Sequence, residues 1–193
     1  MPRSLWSSMM TEQHERVGVL YRHFVAIADT SMADMPLNHP NITVETIGFR
    51  VVCDNANINA NESQGLLGVL ITPWAMNLVW LPTVYQALTQ PVGAIVQHEF
   101  GEMAFDFIQA FDDTLGAYQT CSLESPLESV PDQEQARWLA LGVMSHLSQA
   151  MANPTKHDAT TARHSTTAQH TPSIPITATD TPSLSRRRLF TGR

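Results

Sequence analysis

From Thr11 to Asp29 the apolar positions Val17, Leu20, Tyr21, Phe24 and Ile27 recur at steps of three and four. That is the period of a helix burying one face, and the Thr11 hydroxyl can cap its start. Met32, Met35 and Leu37 continue as an apolar turn that Asn38-His39-Pro40-Asn41 closes. Thr43 to Val51 is rich in β-branched side chains and reads as a strand, and the polar stretch Asp54 to Gln64 reads as a loop. Leu66 to Ile71 is an unbroken apolar run, as expected of a central strand. Pro73 stops it, because proline removes a ladder donor and restricts Thr72 before it. Ala75 to Leu81 follows either as the next strand or as a short helix opened by Pro73. After a further connecting region, Met103, Phe105 and Phe107 alternate with Ala104, Asp106 and Ile108, which predicts a strand. Gly116 breaks the stretch from Asp112, and Tyr118 to Leu123 forms another candidate strand. Pro131-Asp132-Gln133-Glu134 then opens a final helix with Ala136, Leu139, Ala140, Val143 and Leu147 on its apolar face and Trp138 nearby.

The order helix, strands, helix predicts an α+β fold. Its small sheet would be mixed or largely antiparallel, with the N- and C-terminal helices packed on it. At 193 residues the chain suffices for one domain with a core, not two ordinary ones. From about Pro154 the composition changes to Thr, Ser, Pro, Ala and His, too polar to offset the entropy of ordering. The expected division is a domain over residues 1–152 and a flexible tail over residues 153–193. Charge changes at the same boundary. Residues 1–152 carry five arginines, no lysine and 16 carboxylates, 5 − 16 = −11, whereas the remainder carries 6 − 2 = +4, which sums to −7. An acidic body repels phosphates and argues against a nucleic-acid partner, and it suits a basic peptide.

The residues offer little catalytic chemistry. There is no glycine-rich phosphate loop, and His98-Glu99 lacks the second histidine of a zinc-protease helix. His157, His164 and His170 are scattered through the tail and read as a composition effect rather than a metal site. Ser122 has no G-x-S-x-G setting. Asp112 and Asp113 are adjacent and fit a turn better than an acid/base pair. Cys53 and Cys121 form no C-x-x-C motif and imply no disulfide framework, which points to a reducing compartment. Cys121 reads first as a packed thiol and second as a nucleophile. No secretory h-region follows Arg3, and the run Leu66 to Pro82 is interrupted by Pro73 and Asn77, so stable membrane insertion is not expected.

What remains is recognition. Trp74, Met76, Leu78 and Trp80 either line an apolar groove or fill the core, since aromatics and methionine serve both ends. Asn77 between them needs hydrogen-bond partners if buried, which favours fixing a turn or contacting bound backbone. Glu124 and Glu128, flanking Ser125-Pro126-Leu127, are candidates for an acidic rim that meets arginines.

Four separate motifs carry a family likeness. They are Gly68 to Pro82, Val44-Glu45-Thr46-Ile47-Gly48-Phe49-Arg50, Gly101-Glu102-Met103-Ala104-Phe105, and Tyr118 to Leu127. Together with Ser185-Arg186-Arg187-Arg188-Leu189-Phe190-Thr191-Gly192, they resemble the HybE family of nickel-iron hydrogenase assembly chaperones. The resemblance runs from about Arg16 to Leu147 and resumes in the last eight residues; the Asn55–Ser63 loop and Thr-rich tail are less typical. It implies a small cytoplasmic protein without catalytic activity or cofactor, acting in maturation of the hydrogenase small subunit. The expected partner is the small-subunit precursor, recognised through its twin-arginine signal before export. The large-subunit precursor and other maturation proteins are further candidates. The alternative is an assembly scaffold that does not read the signal. Some relatives have a fused or neighbouring rubredoxin domain; this chain has no paired C-x-x-C knuckles to bind such iron. Arg186, Arg187, Leu189 and Phe190 themselves resemble an export motif at the wrong end of a chain; they read either as a tail that mimics the client or as a basic C-terminus that aids solubility or docks elsewhere.

Overall fold

Among the described residues, the computed structural model runs α1 (Arg3–Asp29), β1 (Glu45–Cys53), β2 (Gln64–Thr72), β3 (Ala75–Pro82), β4 (Ile95–Phe100), β5 (Met103–Asp112), β6 (Gly116–Glu124) and α2 (Gln133–Ala152). The structure describes residues 3–53, 64–101 and 103–152, with residues 3–14 as backbone alone. The six strands form one antiparallel sheet in the order β1-β2-β3-β6-β5-β4. This is the α+β arrangement expected of the pattern, and the sheet is antiparallel throughout.

Paired residues on neighbouring strands point to the same side of a sheet, so register assigns the faces. Leu67, Val69, Ile71, Met76, Leu78 and Trp80 face α2, whose Ala136, Ala140, Met144 and Leu147 close over them. Leu66, Leu70, Val79 and Leu81 face the other way and pack with Leu20, Val17 and Phe24 of α1. The helices therefore cover opposite faces. This explains the absence of polar alternation in β2 and β3, whose side chains have apolar neighbours on both sides.

Local chemistry fixes the helices in place. Asp132 caps α2, its carboxylate accepting from the Gln135 amide at 2.8 Å. Glu45 of β1 accepts from Arg137 Nε at 2.8 Å and from Gln133 Nε2 at 2.6 Å, tying the start of α2 to the first strand. Farther along, Arg50 donates to Ser148 Oγ. Between Ile47 and Arg50 the β1 register slips at Gly48, whose φ of 68° lets the strand bulge beneath Met144. A Cβ there would lie 2.9 Å from Met144 Cγ. On the opposite face Arg16 of α1 donates to the Leu115 carbonyl at 2.8 Å and the Pro82 carbonyl at 3.3 Å. Phe24 meets Tyr118 edge to face at 6.4 Å. No helix among the described residues is long and apolar enough to cross a membrane.

Several expectations change. The first helix starts at Arg3 rather than Thr11, because no glycine or proline interrupts the chain between Arg3 and Gly18. Tyr21, assigned to its inward face, is 42% exposed. The open alternative at Ala75–Leu81 resolves as a strand, because Pro73-Trp74 is the two-residue turn of a β2–β3 hairpin pairing Thr72 with Ala75. The buried Thr72 hydroxyl closes that turn by donating to the Ala75 carbonyl at 2.9 Å and accepting from its amide at 3.1 Å. Strand β4 escapes the pattern. Its inward positions include His98, so the apolar alternation is hidden by a polar residue that is nevertheless 2% exposed. Gln64 opens β2, and the rest of the expected 54–64 loop lies outside the described residues. So do the expected tail over residues 153–193, His157, His164 and His170, and the motif residues Arg186, Arg187, Leu189 and Phe190.

Candidate functional site

The sequence-selected residues divide by the side of the sheet they occupy. Met76, Leu78 and Trp80 lie in the core beneath α2, at 0 to 3% exposure. Trp80 stacks on His98 at 4.6 Å between ring centroids and covers Gly65, where an added Cβ would fall 2.4 Å from the indole. Asn77 is half-buried on the opposite face, paired with Leu70 and Ser122, and among the described residues its side chain makes no hydrogen bond. Trp74 is half-buried in the β2–β3 turn. Glu124 and Glu128 are both exposed. Thus Trp74, Glu124 and Glu128 come together at one end of the sheet, and the other three apolar residues do not join them at the surface.

That end is built from three segments. The His39 amide donates to the Pro73 carbonyl at 2.8 Å, which holds the 36–40 loop against the β2–β3 turn. Met76 pairs with Glu124, so the end of β6 lies alongside the same turn. Ser129 donates to Glu124 at 2.8 Å, while Leu127 and Val130 anchor the segment in the core. Pro36, Leu37, Asn38, His39, Pro126 and Glu128 line a cleft of about 140 Å³ here. Drug-sized ligands occupy roughly 300 Å³ or more, so the cleft suits a side chain of a larger partner rather than a metabolite. Pattern reading missed Asn38 as more than a turn residue. Its Nδ2 donates to the Met32 carbonyl, while its buried Oδ1 has no hydrogen-bond partner. An unmatched buried acceptor costs about 1–3 kcal/mol, which a donor from a bound chain would relieve.

A second cleft, of about 130 Å³, lies where Trp80 and His98 meet the β3–β4 connection. Its wall is an amide string. His98 bonds Gln119, Gln119 donates to Gln109 Oε1 at 3.1 Å, and Gln109 donates to the Tyr118 and Ala110 carbonyls at 3.1 and 2.9 Å. The sequence signal for it was the inward register of Gln109 and Gln119 among aromatic residues.

The reactive candidates stay unremarkable. Cys121 is half-buried opposite Leu78, and burial first, then the Asp106 charge, pushes its thiol pKa up and away from the thiolate. Asp112 serves a turn, accepting from the Thr114 and Leu115 amides at 2.8 and 3.2 Å, with His23 at 3.5 Å. Ser122 is exposed on β6. Among the described residues no three His, Cys, Asp or Glu side chains gather in a way that could hold a metal ion.

Comparison with known proteins places this architecture. The family model described as NiFe-hydrogenase assembly, chaperone, HybE matches residues 15–192. Protein HoxT of Cupriavidus necator is 39% identical over 136 residues, covering 67% of this chain and 74% of its own length. The hydrogenase expression/formation protein HupT of Azotobacter chroococcum is 38% identical over 60% of this chain and 70% of its own. The solution structure of HybE from Escherichia coli aligns over 81% of this chain and 90% of that one, with 23% identity and a TM-score of 0.48. Because the family match spans most of the chain, this protein belongs to the HybE family of NiFe-hydrogenase assembly chaperones, and its general role is that of an accessory in hydrogenase maturation.

Proposed function

We propose that this protein binds the small-subunit precursor of a NiFe hydrogenase through its twin-arginine signal region before export, as a cytoplasmic chaperone rather than an enzyme. The observation supporting this reading is the joining of apolar and acidic side chains at one end of the sheet. Trp74 and the exposed Leu37 sit among the segments that carry Glu124 and Glu128. A signal region combines arginines with an apolar stretch, and carboxylates beside apolar surface complement both. Arginine pairs bidentately with carboxylate, which gives geometric preference over lysine. The chain carries no lysine or arginine from Val51 to Ala136, so no cation on β2–β6 competes for those carboxylates.

In this reading Trp74, Asn77, Glu124 and Glu128 contact the client directly. Met76, Leu78 and Trp80 act from within, as the packed support on which the β2–β3 turn stands.

The test mixes purified protein with small-subunit precursor carrying or lacking its signal segment and measures the complex by calorimetry. Binding should weaken at least about tenfold when the segment is removed. Equal affinity for both forms would overturn signal reading and leave a scaffold that grips the subunit body.

A further inference from the structure

Among the described residues, part of one sheet face has no helix packed over it. On β4 the exposed positions are Ile95, Gln97 and Glu99, alternating with half-buried Val96 and buried His98 and Phe100. On β5 the exposed positions Ala104, Asp106 and Ile108 alternate with Phe105, Phe107 and Gln109. Register joins these rows. Ile95 faces Ile108, Gln97 faces Asp106, Glu99 faces Ala104, and Ile108 faces Thr120 on β6, followed on the same side by Ser122; beyond it the register shifts, and Glu124 pairs with Met76 at the end of the strand. The opposite side of these strands is packed in the α2-side core, whereas α1 lies over β1–β3 and reaches Tyr118 of β6 and Ala110 of β5, short of Ile108.

This face is polar at one end and apolar at the other. Toward the β4–β5 turn it presents Asp106 and Glu99, and the exposed Glu124 lies at the adjoining end of β6. Toward the β3–β4 connection it presents Ile95, 71% exposed, and Ile108, 48% exposed. The connection itself carries Val84, Tyr85, Leu88 and Val92, each exposed. It is pinned to the sheet rather than loose. The Gln86 carbonyl accepts from the Ala117 amide at 2.8 Å, and Gly93 and Ala94 exchange bonds with the Gln109 backbone at 2.8 Å each. Tyr85 is held against Gly116. Asp113 is exposed at this end, and Asp112 is engaged with its own turn and His23. Apolar side chains fixed on a surface without being covered mark a contact site, and fixing them beforehand lowers the cost of binding.

We infer that the open face of β4, β5 and β6 receives a client segment in extended form and in one direction. Its cationic residues lie against Asp106 and toward Glu124 at the end of β6, and its apolar residues lie against Ile95 and Ile108, beside the β3–β4 connection. The inference rests on the signal-binding reading for the identity of the client and adds where and how it docks. Charge selects the occupant. Every charged side chain on this face is a carboxylate, and no lysine or arginine occurs anywhere from Val51 to Ala136. Four strand positions separate Ala104 from Ile108, about 13 Å at the usual rise, so an arginine pair and the apolar residues after it span the two ends within one extended segment.

The probe is a synthetic hydrogenase small-subunit signal peptide, used with a Lys-Lys version and with a nitroxide at either end. The readout is methyl NMR of the full chain. A nitroxide on the apolar end should broaden the Ile95 and Ile108 methyls, and one on the arginine end should broaden Ala104. Ile108→Glu, at an exposed position, should weaken binding about tenfold or more, with the remaining methyl spectrum unchanged. Binding that perturbs only the segments around Trp74 and Glu128, or that Ile108→Glu leaves unaltered, would overturn the surface while leaving signal recognition standing. Equal binding of the Lys-Lys peptide on the same methyls would keep the surface and overturn twin-arginine reading. Absence of binding by either peptide would overturn both.

Discussion

Strands β2 and β3 are buried on both faces, whereas β4 and β5 are buried on one. The same sheet thus contains a half that α1 and α2 enclose and a half whose outer face, among the described residues, no helix covers. The enclosed half holds the long apolar run that dominates the sequence. The open half holds a modest alternation of apolar and acidic residues. For a protein that works by contact, prominence in sequence marks stability, and the quieter strands carry the exposed chemistry.

Substitutions matched across the two halves should separate them. Leu70→Ala removes a fully buried side chain between β2 and α1 and is expected to cost about 2–5 kcal/mol in chemical denaturation, whereas a value under 1 kcal/mol would mean that the α1 face is loosely packed. Tyr118 marks the inner boundary of the open half. Burial first, then the Asp112 charge, raises its phenol to about 12 from the ordinary 10. The neutral phenol belongs to the folded state, so its contribution is intact below about pH 10 and is lost as pH climbs toward 12. That loss is about 2–3 kcal/mol by linkage, and Tyr118→Phe should flatten the alkaline arm of a stability–pH curve. Gly68→Val places a Cβ where the ring of Phe49 lies 2.3 Å away, and should cost about 1–3 kcal/mol through overpacking. The smallest effect belongs to the open half. Ile108→Ser should change stability by less than about 1 kcal/mol while weakening client binding. A large loss of stability would instead make Ile108 part of the core.

The sequence carried the enclosed half clearly and the open half faintly, for physical reasons. A strand apolar on both faces, such as Leu66 to Ile71, leaves an unbroken run that survives without context. The hairpin at Pro73-Trp74 was marked by proline, yet its neighbour Ala75–Leu81 kept two readings because a doubly buried strand and a buried helix share composition. Strand β4 was invisible because His98, a polar residue, holds an inward position, packed among the rings of Trp80, Phe100 and Phe107 and bonded to Gln119. Of the residues singled out from the sequence, Glu124 and Glu128 are exposed at the end of the sheet where Trp74 forms the turn. The choice left open for Met76, Leu78 and Trp80 resolves to the core beneath α2, while Ile95 and Ile108, far less conspicuous in sequence, face solvent. Which side of a strand lacks a covering helix is a property of packing between distant segments, and local periodicity does not encode it.

The most direct single measurement is fluorescence anisotropy of a labelled twin-arginine signal peptide from a hydrogenase small subunit, titrated with the purified full chain beside its Lys-Lys counterpart. Saturable binding that weakens about tenfold with Lys-Lys is the expected result, because lysine keeps the charge and loses the bidentate pairing. Equal affinity for the two peptides, or no binding to either, would contradict recognition of the twin-arginine signal.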